Sequence, residues 1–175
     1  HLEGPFLTEA RRGAHSREHL AAPSLKALEE RIGGFETEIS LVTLAPELEG
    51  ACRVIQRLRE LGICVALGHS AATDEQARAG FDQGVGMITH AFNAMPGLHH
   101  RDPGMVGAAL AHAEYAEIIP DLLHVHPGAI KTALRCIPKL FCVTDSTAAA
   151  GMPDGEYMLG RQVVHKCMGG VRLAD

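Results

Sequence analysis

Tryptophan is absent from this 175-residue sequence, aromatic residues make up only 4% of it, and no long apolar run occurs. A membrane-spanning helix needs about 18 or more consecutive apolar residues, so the sequence predicts none. The formal net charge is -5, and the 16 Lys and Arg residues form no extended basic run, which argues against a general nucleic-acid-binding protein. A hydrophobic content of 46% excludes the disordered class, and the length suits one globular domain.

Common motifs of phosphate binding and nucleophilic catalysis are also missing. Neither the P-loop pattern nor a G-x-G-x-x-G pattern between a strand and a helix occurs, so a glycine-rich phosphate cradle is a poor fit. The Gly-x-Ser-x-Gly pattern of serine hydrolases is absent as well. Ser70 is therefore a weak candidate for a nucleophile.

Cysteine shows no paired spacing. The five cysteines form no C-x-x-C pair, and their odd number does not suit a disulfide framework or a zinc knuckle. We therefore expect buried free thiols in a protein of a reducing compartment such as the cytoplasm. The residues concerned are Cys52, Cys64, Cys136, Cys142 and Cys167.

Both ends of the sequence look like interior segments of a longer chain. The sequence does not begin with Met, and residues 1–5 resemble the end of a strand. Residues 170–175 stop within a β-like pattern. We expect both ends to be cut, so the lack of a targeting peptide carries no information.

Strand and helix signals alternate along the chain. Strands that are apolar on both faces and separated by helices indicate an α/β architecture with a parallel sheet covered by helices. The spacing suits a βα barrel or a doubly wound sheet, and from residue 157 onward a hairpin-like β pattern without helices predicts a second, small β segment. The predicted strands cover residues 39–45, 63–68, 85–90, 117–125 and 140–144, and the predicted helices cover 47–61, 73–83 and 127–137.

Acidic and imidazole side chains fall at the carboxyl ends of the predicted strands. In a barrel these ends converge on one mouth, where active sites are built, so their placement favours a barrel over an open sheet. Packing alone hardly explains so many such groups at separate strand ends. They are Glu3, His69, His90, His124 and Asp145.

Three of these side chains form a known type of metal-ligand set. Two His with one Glu, here His69, His90 and Glu3, are a catalytic-zinc pattern that leaves a position for water. Taken singly, His69 is more readily explained as a core or turn histidine that donates to a carbonyl. Asp145 could exchange protons with an activated water, or it could cap a helix or an Asx turn.

Further candidates lie in loops. The guanidinium of Arg101 could bind a phosphate in bidentate fashion, or it could pair with Asp102 in solvent. The preceding turn, residues 93–96, offers backbone donors. His15 is a loop histidine without a local partner.

Taken together, six motifs closely resemble the N-acetylglucosamine-6-phosphate deacetylase family of the amidohydrolase superfamily, in order and spacing over nearly the whole chain. The motifs are His1-Leu2-Glu3-Gly4-Pro5-Phe6, Gly13-Ala14-His15, Gly68-His69-Ser70, Thr89-His90-Ala91-Phe92-Asn93-Ala94-Met95-Pro96, Asp121-Leu122-Leu123-His124-Val125 and Val143-Thr144-Asp145.

The resemblance implies a TIM-type (β/α)8 barrel of which this chain supplies about strands three to eight. Residues 1–155 would form the partial barrel, and residues 156–175 would begin a return into a small β-sandwich. The implied reaction is hydrolysis of the acetamide of N-acetylglucosamine 6-phosphate to glucosamine 6-phosphate and acetate. The implied cofactor is a divalent metal ion, with zinc as the default and iron among the alternatives, and the implied assembly is a homodimer in the cytoplasm.

The resemblance also assigns roles residue by residue. It places the metal on Glu3, His69 and His90, the general acid/base at Asp145, and a substrate-binding histidine at His124. It places the sugar at Ala14 and His15, and the phosphate at Asn93, Ala94 and Arg101, with the arginine donated across a dimer interface. One departure stands out, because Leu122 occupies a position where the family usually has Gly.

Two alternatives remain open on sequence. The chain could belong to another amidohydrolase that uses the same metal site on a different amide. It could also be a non-catalytic barrel fragment that acts only as a binding module, although intact Glu3, His69, His90 and Asp145 weigh against that role.

Overall fold

The structure is a computed structural model that describes residues 1–173, and Ala174 and Asp175, the end of the predicted β segment, lie outside the described residues. Its main sheet has six parallel strands in chain order, each hydrogen-bonded to the next. The strands are β1 (Leu2–Glu3), β2 (Leu41–Leu44), β3 (Cys64–Leu67), β4 (Met87–Ile88), β5 (Tyr115–Ile118) and β6 (Lys139–Cys142).

Five α-helices accompany the sheet. The capping box that the sequence predicts is present, because the Gln76 N–H donates to Thr73 Oγ1 at 3.2 Å and the Thr73 N–H donates to Gln76 Oε1 at 2.9 Å. No helix among residues 1–173 is long and apolar enough to cross a membrane. The helices are α1 (Leu25–Ile32), α2 (Ala51–Glu60), α3 (Asp74–Asp82), α4 (Gly104–His112) and α5 (Pro127–Cys136).

The apolar core lies between the parallel sheet and its helices. Helix α2 packs on β3 and buries Val54, Ile55 and Leu58, while the strands contribute Leu67 and Ile88. Most residues of β2, β3 and β5 are buried, as expected of parallel strands covered by helices, whereas β6 at the edge of the sheet is mostly exposed.

Three sequence predictions need correction in length, and one is the strand predicted over residues 85–90, of which only Met87–Ile88 forms β4. The helix predicted over residues 47–61 begins only at Ala51, because Gly50 adopts a left-handed φ of 87° and the residues before it form a turn. The strand predicted over residues 117–125 is wrong beyond its start. Strand β5 ends at Ile118, and the segment after Pro120 is a turn held by the side chain of Asp121.

Helix α4 was not predicted, because its sequence lacks helical periodicity. Six consecutive residues at its start, from Gly104 to Ala109, are buried, so no apolar stripe alternates with a polar face. A helix that is apolar all round has no clear period, and its sequence does not separate it from a loop or a strand.

The prediction of buried thiols is wrong. All five cysteines are free, as expected, but all five are exposed. Cys52 and Cys136 lie on α2 and α5 away from the core, and Cys142 lies at the end of β6, which has no partner strand on its outer side among residues 1–173.

The predicted hairpin at the end of the chain is confirmed as part of a second, antiparallel sheet. It consists of β7 (Gly155–Leu159), β8 (Gln162–Cys167) and β9 (Gly170–Leu173). Lys166 ties this sheet to the loop after β6, because its Nζ donates to the carbonyls of Ala149 at 3.0 Å and Met152 at 2.6 Å.

Candidate functional site

The three predicted metal ligands meet at the carboxyl edge of the parallel sheet. Glu3 is the last residue of β1, and His69 and His90 follow β3 and β4 by two residues each. Glu3 Oε1 lies 2.5 Å from His69 Nε2 and 2.8 Å from His90 Nε2, and the two Nε2 atoms are 3.1 Å apart. The three side chains therefore present one ligand atom each to a single point.

A backbone carbonyl sets the tautomer of His69. His69 Nδ1 lies 2.8 Å from the carbonyl oxygen of Arg11, and a carbonyl can only accept. Nδ1 therefore carries a proton, and Nε2 is the ring nitrogen that faces Glu3 and His90. A second nitrogen anchored in this way is the usual arrangement of a metal-binding histidine.

His90 is buried, and its ring has one unused polar atom. Among residues 1–173, Nδ1 of His90 is the buried side-chain polar atom without a hydrogen-bond partner. Burial alone would lower the pKa of His90, but the hydrogen bond and the charge of Glu3 outweigh burial and raise it. Burial alone would likewise raise the pKa of Glu3, but the hydrogen bonds to His15, His69 and His90 hold it well below its usual range.

His15 borders the same cluster. Its Nε2 is 3.8 Å from Glu3 Oε1, and its ring stands edge-on to that of His69, with the centroids 4.8 Å apart. Glu3, His15 and His69 also have the mutual spacing of a possible metal-binding group. The shorter distances favour Glu3, His69 and His90 as the inner set, with His15 beside it.

The donor set fits a divalent cation. Metal–ligand bonds of about 2.0–2.1 Å in a tetrahedral site place neighbouring ligand atoms roughly 3.3 Å apart. The three ligand atoms here lie 2.5, 2.8 and 3.1 Å apart, closer than they would lie around a bound ion, so they would have to move apart to hold one. A carboxylate and an imidazole lone pair turned toward one point suit zinc, iron and other divalent ions alike, so the geometry does not choose the metal.

Left-handed backbone recurs at this edge of the sheet. His69, His90 and Asp145 have φ values of 47°, 26° and 47°. Such conformations cost about 1–3 kcal/mol each in non-glycine residues and persist only where their surroundings enforce them, typically at functional sites.

A cavity of about 550 Å³ opens over the cluster. One wall comes from the antiparallel sheet, including Val164 and Lys166 of β8. The predicted site residues on its surface are Glu3, Ala14, His15, His69, His124 and Asp145.

His124 reaches this cavity by a route that differs from the prediction. It does not follow a strand end directly, because β5 stops at Ile118 and His124 lies six residues further on, in a turn. Asp121 builds that turn. Its Oδ1 accepts the N–H groups of Leu123 and His124 at 2.9 and 2.8 Å, and its Oδ2 lies 2.6 Å from His124 Nδ1.

The residues predicted to bind phosphate do not line this cavity. Asn93 folds back on its own turn, with Nδ2 3.3 Å from the carbonyl of His90. Ala94 has a φ of 54°, and its carbonyl accepts the Ser70 N–H at 3.2 Å. Arg101 is exposed, and no ion pair joins it to Asp102 within residues 1–173.

Two acidic residues near the site were not singled out from the sequence. Glu117 is buried in β5, where burial raises its pKa despite the N–H of His90, which it accepts at 3.3 Å. Glu47 joins the loops after β1, β2 and β3. Glu117 could have been found from the sequence, because it is an acid inside the apolar run Ala116-Glu117-Ile118. Glu47 could not, because its partners are distant in sequence.

Comparison with known proteins bears on this site. No family model matches the chain. It is 43% identical over 177 residues to an N-acetylgalactosamine-6-phosphate deacetylase of Escherichia coli O157:H7, a match that covers 100% of this chain and 47% of the relative. It is 44% identical over 177 residues to an N-acetylglucosamine-6-phosphate deacetylase of Vibrio furnissii, covering 100% of this chain and 44% of that protein.

A solved structure agrees with these matches. The N-acetyl-D-glucosamine-6-phosphate deacetylase of Mycobacterium smegmatis, as an aspartate-to-alanine mutant in complex with N-acetyl-D-glucosamine-6-phosphate, superposes with a TM-score of 0.94 at 35% identity. The match covers 99% of this chain and 46% of that one. The resemblance inferred from the motifs is thus confirmed, and the chain spans about half the length of the proteins it matches.

Proposed function

We propose that the protein to which this chain belongs is a metal-dependent deacetylase that hydrolyses the acetamide of N-acetylglucosamine 6-phosphate. The products are glucosamine 6-phosphate and acetate, so one C–N bond is broken and one water is consumed. The observation that carries the proposal is the meeting of Glu3 Oε1 with the Nε2 atoms of His69 and His90, beside a cavity that Glu3 and His69 line.

Glu3, His69 and His90 would hold the metal ion, for which zinc is the first choice. When bound, such an ion supplies Lewis acidity, which an amide needs because it is a poor electrophile. Asp145, on the wall of the same cavity, would accept the proton of the attacking water and return it to the leaving amine.

The sugar would lie against residues on the cavity surface. Ala14 and His15 would contact the sugar, and His124, oriented through Nδ1 by Asp121, would turn its other ring nitrogen toward the acetyl group. A remote phosphate supplies binding energy that orients the reacting amide.

The phosphate would bind outside this cavity. Asn93 and Ala94 lie in the turn after His90, and Arg101 is exposed on the loop that follows. An exposed arginine that lies apart from its own cavity suits donation to the site of a second copy, so we propose a homodimer in which Arg101 contacts the partner's substrate.

We also propose a barrel fold for the parallel sheet. The six strands would be the third to eighth of a TIM-type barrel, since they are parallel and paired in chain order. Residues 1–155 would belong to the barrel, and residues 156–175 would begin the β-sandwich. We place the protein in the cytoplasm, where the five free cysteines would stay reduced.

The 4-epimeric sugar phosphate is a second candidate substrate. One relative that matches the whole chain at 43% identity is named as an N-acetylgalactosamine-6-phosphate deacetylase. The same metal site and the same proton transfers would serve both sugars, since they differ only at a hydroxyl remote from the amide.

The test is acetate release by the full-length protein. The substrates are the two N-acetylhexosamine 6-phosphates and unphosphorylated N-acetylglucosamine, each assayed with added Zn²⁺ and with EDTA. Asp145→Asn should lower kcat by about 10²–10⁴-fold, while the matched surface variant Asp82→Asn should leave it unchanged.

Each outcome assigns the activity. Metal-dependent release from N-acetylglucosamine 6-phosphate above the other substrates supports the proposal, and preference for the galactose isomer selects the second candidate. If Arg101→Gln lowers acetate release equally from phosphorylated and unphosphorylated substrates, the assignment of Arg101 to the phosphate is refuted. No release by a folded, metal-loaded protein points to another amide or to a binding module.

A further inference from the structure

The carboxylate of Glu47 lies where three loops meet. Its Oε1 accepts the Ala71 N–H at 2.6 Å and the hydroxyl of Thr8, and its Oε2 accepts the Ser70 hydroxyl at 2.7 Å. The Ser70 oxygen in turn accepts the Ala72 N–H at 3.0 Å. Both oxygens of Glu47 are therefore committed to donors within the protein, which leaves the residue unsuited to be a metal ligand.

These bonds tie together the loops that follow β1, β2 and β3. Thr8 lies in the first loop, Glu47 in the second, and Ser70 directly after His69 in the third. The loops are also joined through the backbone, because the Thr8 N–H donates to the His69 carbonyl at 3.0 Å. Glu47 thus binds the two residues that directly follow His69 and also Thr8, whose N–H donates to the His69 carbonyl.

His69 needs such support because of its backbone. Its φ of 47° is left-handed, and a residue with a β-carbon holds that conformation only where its surroundings enforce it. The Nδ1 bond to the Arg11 carbonyl fixes the ring, but the position of the ring relative to Glu3 depends on the turn that carries it.

We propose that Glu47 is a positioning residue for the metal site, which holds the turn of His69 against the loop after β1. The proposal rests on the metal site put forward above. Groups behind the ligands typically change metal affinity by about 10–100-fold when they are removed. Glu47 would act in this way through Ser70 and Ala71, without contact with the metal.

The variants follow from the donors. Glu47→Ala removes all three acceptor contacts. In Glu47→Gln the amide oxygen can still accept the Ala71 N–H, which can only donate. The amide NH₂ can donate to the Ser70 hydroxyl, because a hydroxyl can accept as well as donate. Glu49→Ala is the matched control, because Glu49 is an exposed acid two residues further along the same turn.

The experiment measures Zn²⁺ affinity by competition with a chromophoric chelator in the full-length protein. We expect Glu47→Ala to weaken binding about 10–100-fold, Glu47→Gln to recover most of the loss, and Glu49→Ala to match the wild type. The visible spectrum of the Co²⁺-loaded protein should change in Glu47→Ala alone. Hydrogen exchange in the metal-free protein should be faster at residues 70–72 in Glu47→Ala.

Unchanged Zn²⁺ affinity in a folded Glu47→Ala protein overturns the proposal. If that variant fails to fold, Ser70→Ala and Thr8→Val remove one contact each, and unchanged affinity in both overturns it equally. A wild type that binds no Zn²⁺ refutes the proposed function instead. Hydrogen exchange at residues 70–72 then tests only whether Glu47 holds the turn after His69. Faster exchange in Glu47→Ala than in the wild type supports this, and unchanged exchange contradicts it.

Discussion

Gly68, which precedes the proposed ligand His69, lies where two neighbouring strands leave no room for a side chain. A β-carbon at Gly68 would lie 2.9 Å from Thr43 Cγ2 and 3.0 Å from Thr89 Cβ. Both threonines are buried and joined by a hydrogen bond of 2.7 Å between their hydroxyls. Neither contact is with the free end of a flexible side chain, so Gly68→Ala forces the strands apart.

The expected cost follows from overpacking. Inserting a methyl group into a well-packed interior costs about 1–3 kcal/mol. We place Gly68→Ala at about 2 kcal/mol, because two contacts are too close at once. Gly86→Ala is the matched control, since a β-carbon there meets nothing within 4 Å, and we expect it to change stability by at most about 1 kcal/mol in the favourable direction.

Urea denaturation of the full-length protein at a fixed Zn²⁺ concentration measures both variants. Thr43→Ser removes the methyl group that lies at 2.9 Å and keeps the hydroxyl, so it should partly rescue Gly68→Ala in a double-mutant cycle, with a coupling energy of about 1 kcal/mol. A Gly68→Ala protein that is no less stable than Gly86→Ala would contradict overpacking at Gly68. Additive effects of Gly68→Ala and Thr43→Ser would contradict it equally.

Three further predictions concern the site and its rim. EDTA should destabilise the wild type by about 2.7 kcal/mol relative to a hundredfold excess of Zn²⁺ over Kd, and in thermal melts Glu3→Gln should lose this response; an equal response there contradicts Glu3 as a ligand. Leu122→Gly should raise the free energy of unfolding by about 0.5–1 kcal/mol, because Leu122 is exposed at a φ of 66°; a loss in urea melts would refute the strain. The pKa of Asp121 is lowered because the backbone and side chain of His124 outweigh burial, so its stabilisation is present above the ordinary aspartate range and lost as pH falls through the lowered pKa. The stability difference between wild type and Asp121→Asn should therefore shrink on acidification, and a difference that grows contradicts this sign.

The meeting of the proposed metal ligands was predictable because it depends on topology. Parallel strands bring their carboxyl ends to one edge, so residues at successive strand ends become neighbours whatever the loops between them do. Glu3, His69 and His90 needed only correct strand assignment within a residue or two. The capping box of Thr73 and Gln76 was predictable for the opposite reason, since its two residues are local in sequence.

What failed depended on distant or side-chain-specific contacts. The end of β5 was missed because the apolar run continues beyond it, while one carboxylate, that of Asp121, turns the chain. The start of α2 was missed because Gly50 lies against the Pro23 carbonyl, from a different part of the chain, where only glycine fits. The role of Glu47 is invisible in sequence because its three donors belong to other loops.

The hydrogen bond between His69 Nδ1 and the Arg11 carbonyl does not depend on the side chain of residue 11, because its acceptor belongs to the backbone. Alanine scanning through residues 9–12 would leave that oxygen in place and report the segment as dispensable. A one-residue deletion in the short 3₁₀ helix Glu9–Arg11 would move the oxygen and release the ring without altering any side chain of the cluster. We therefore expect this loop to tolerate substitutions but not insertions or deletions.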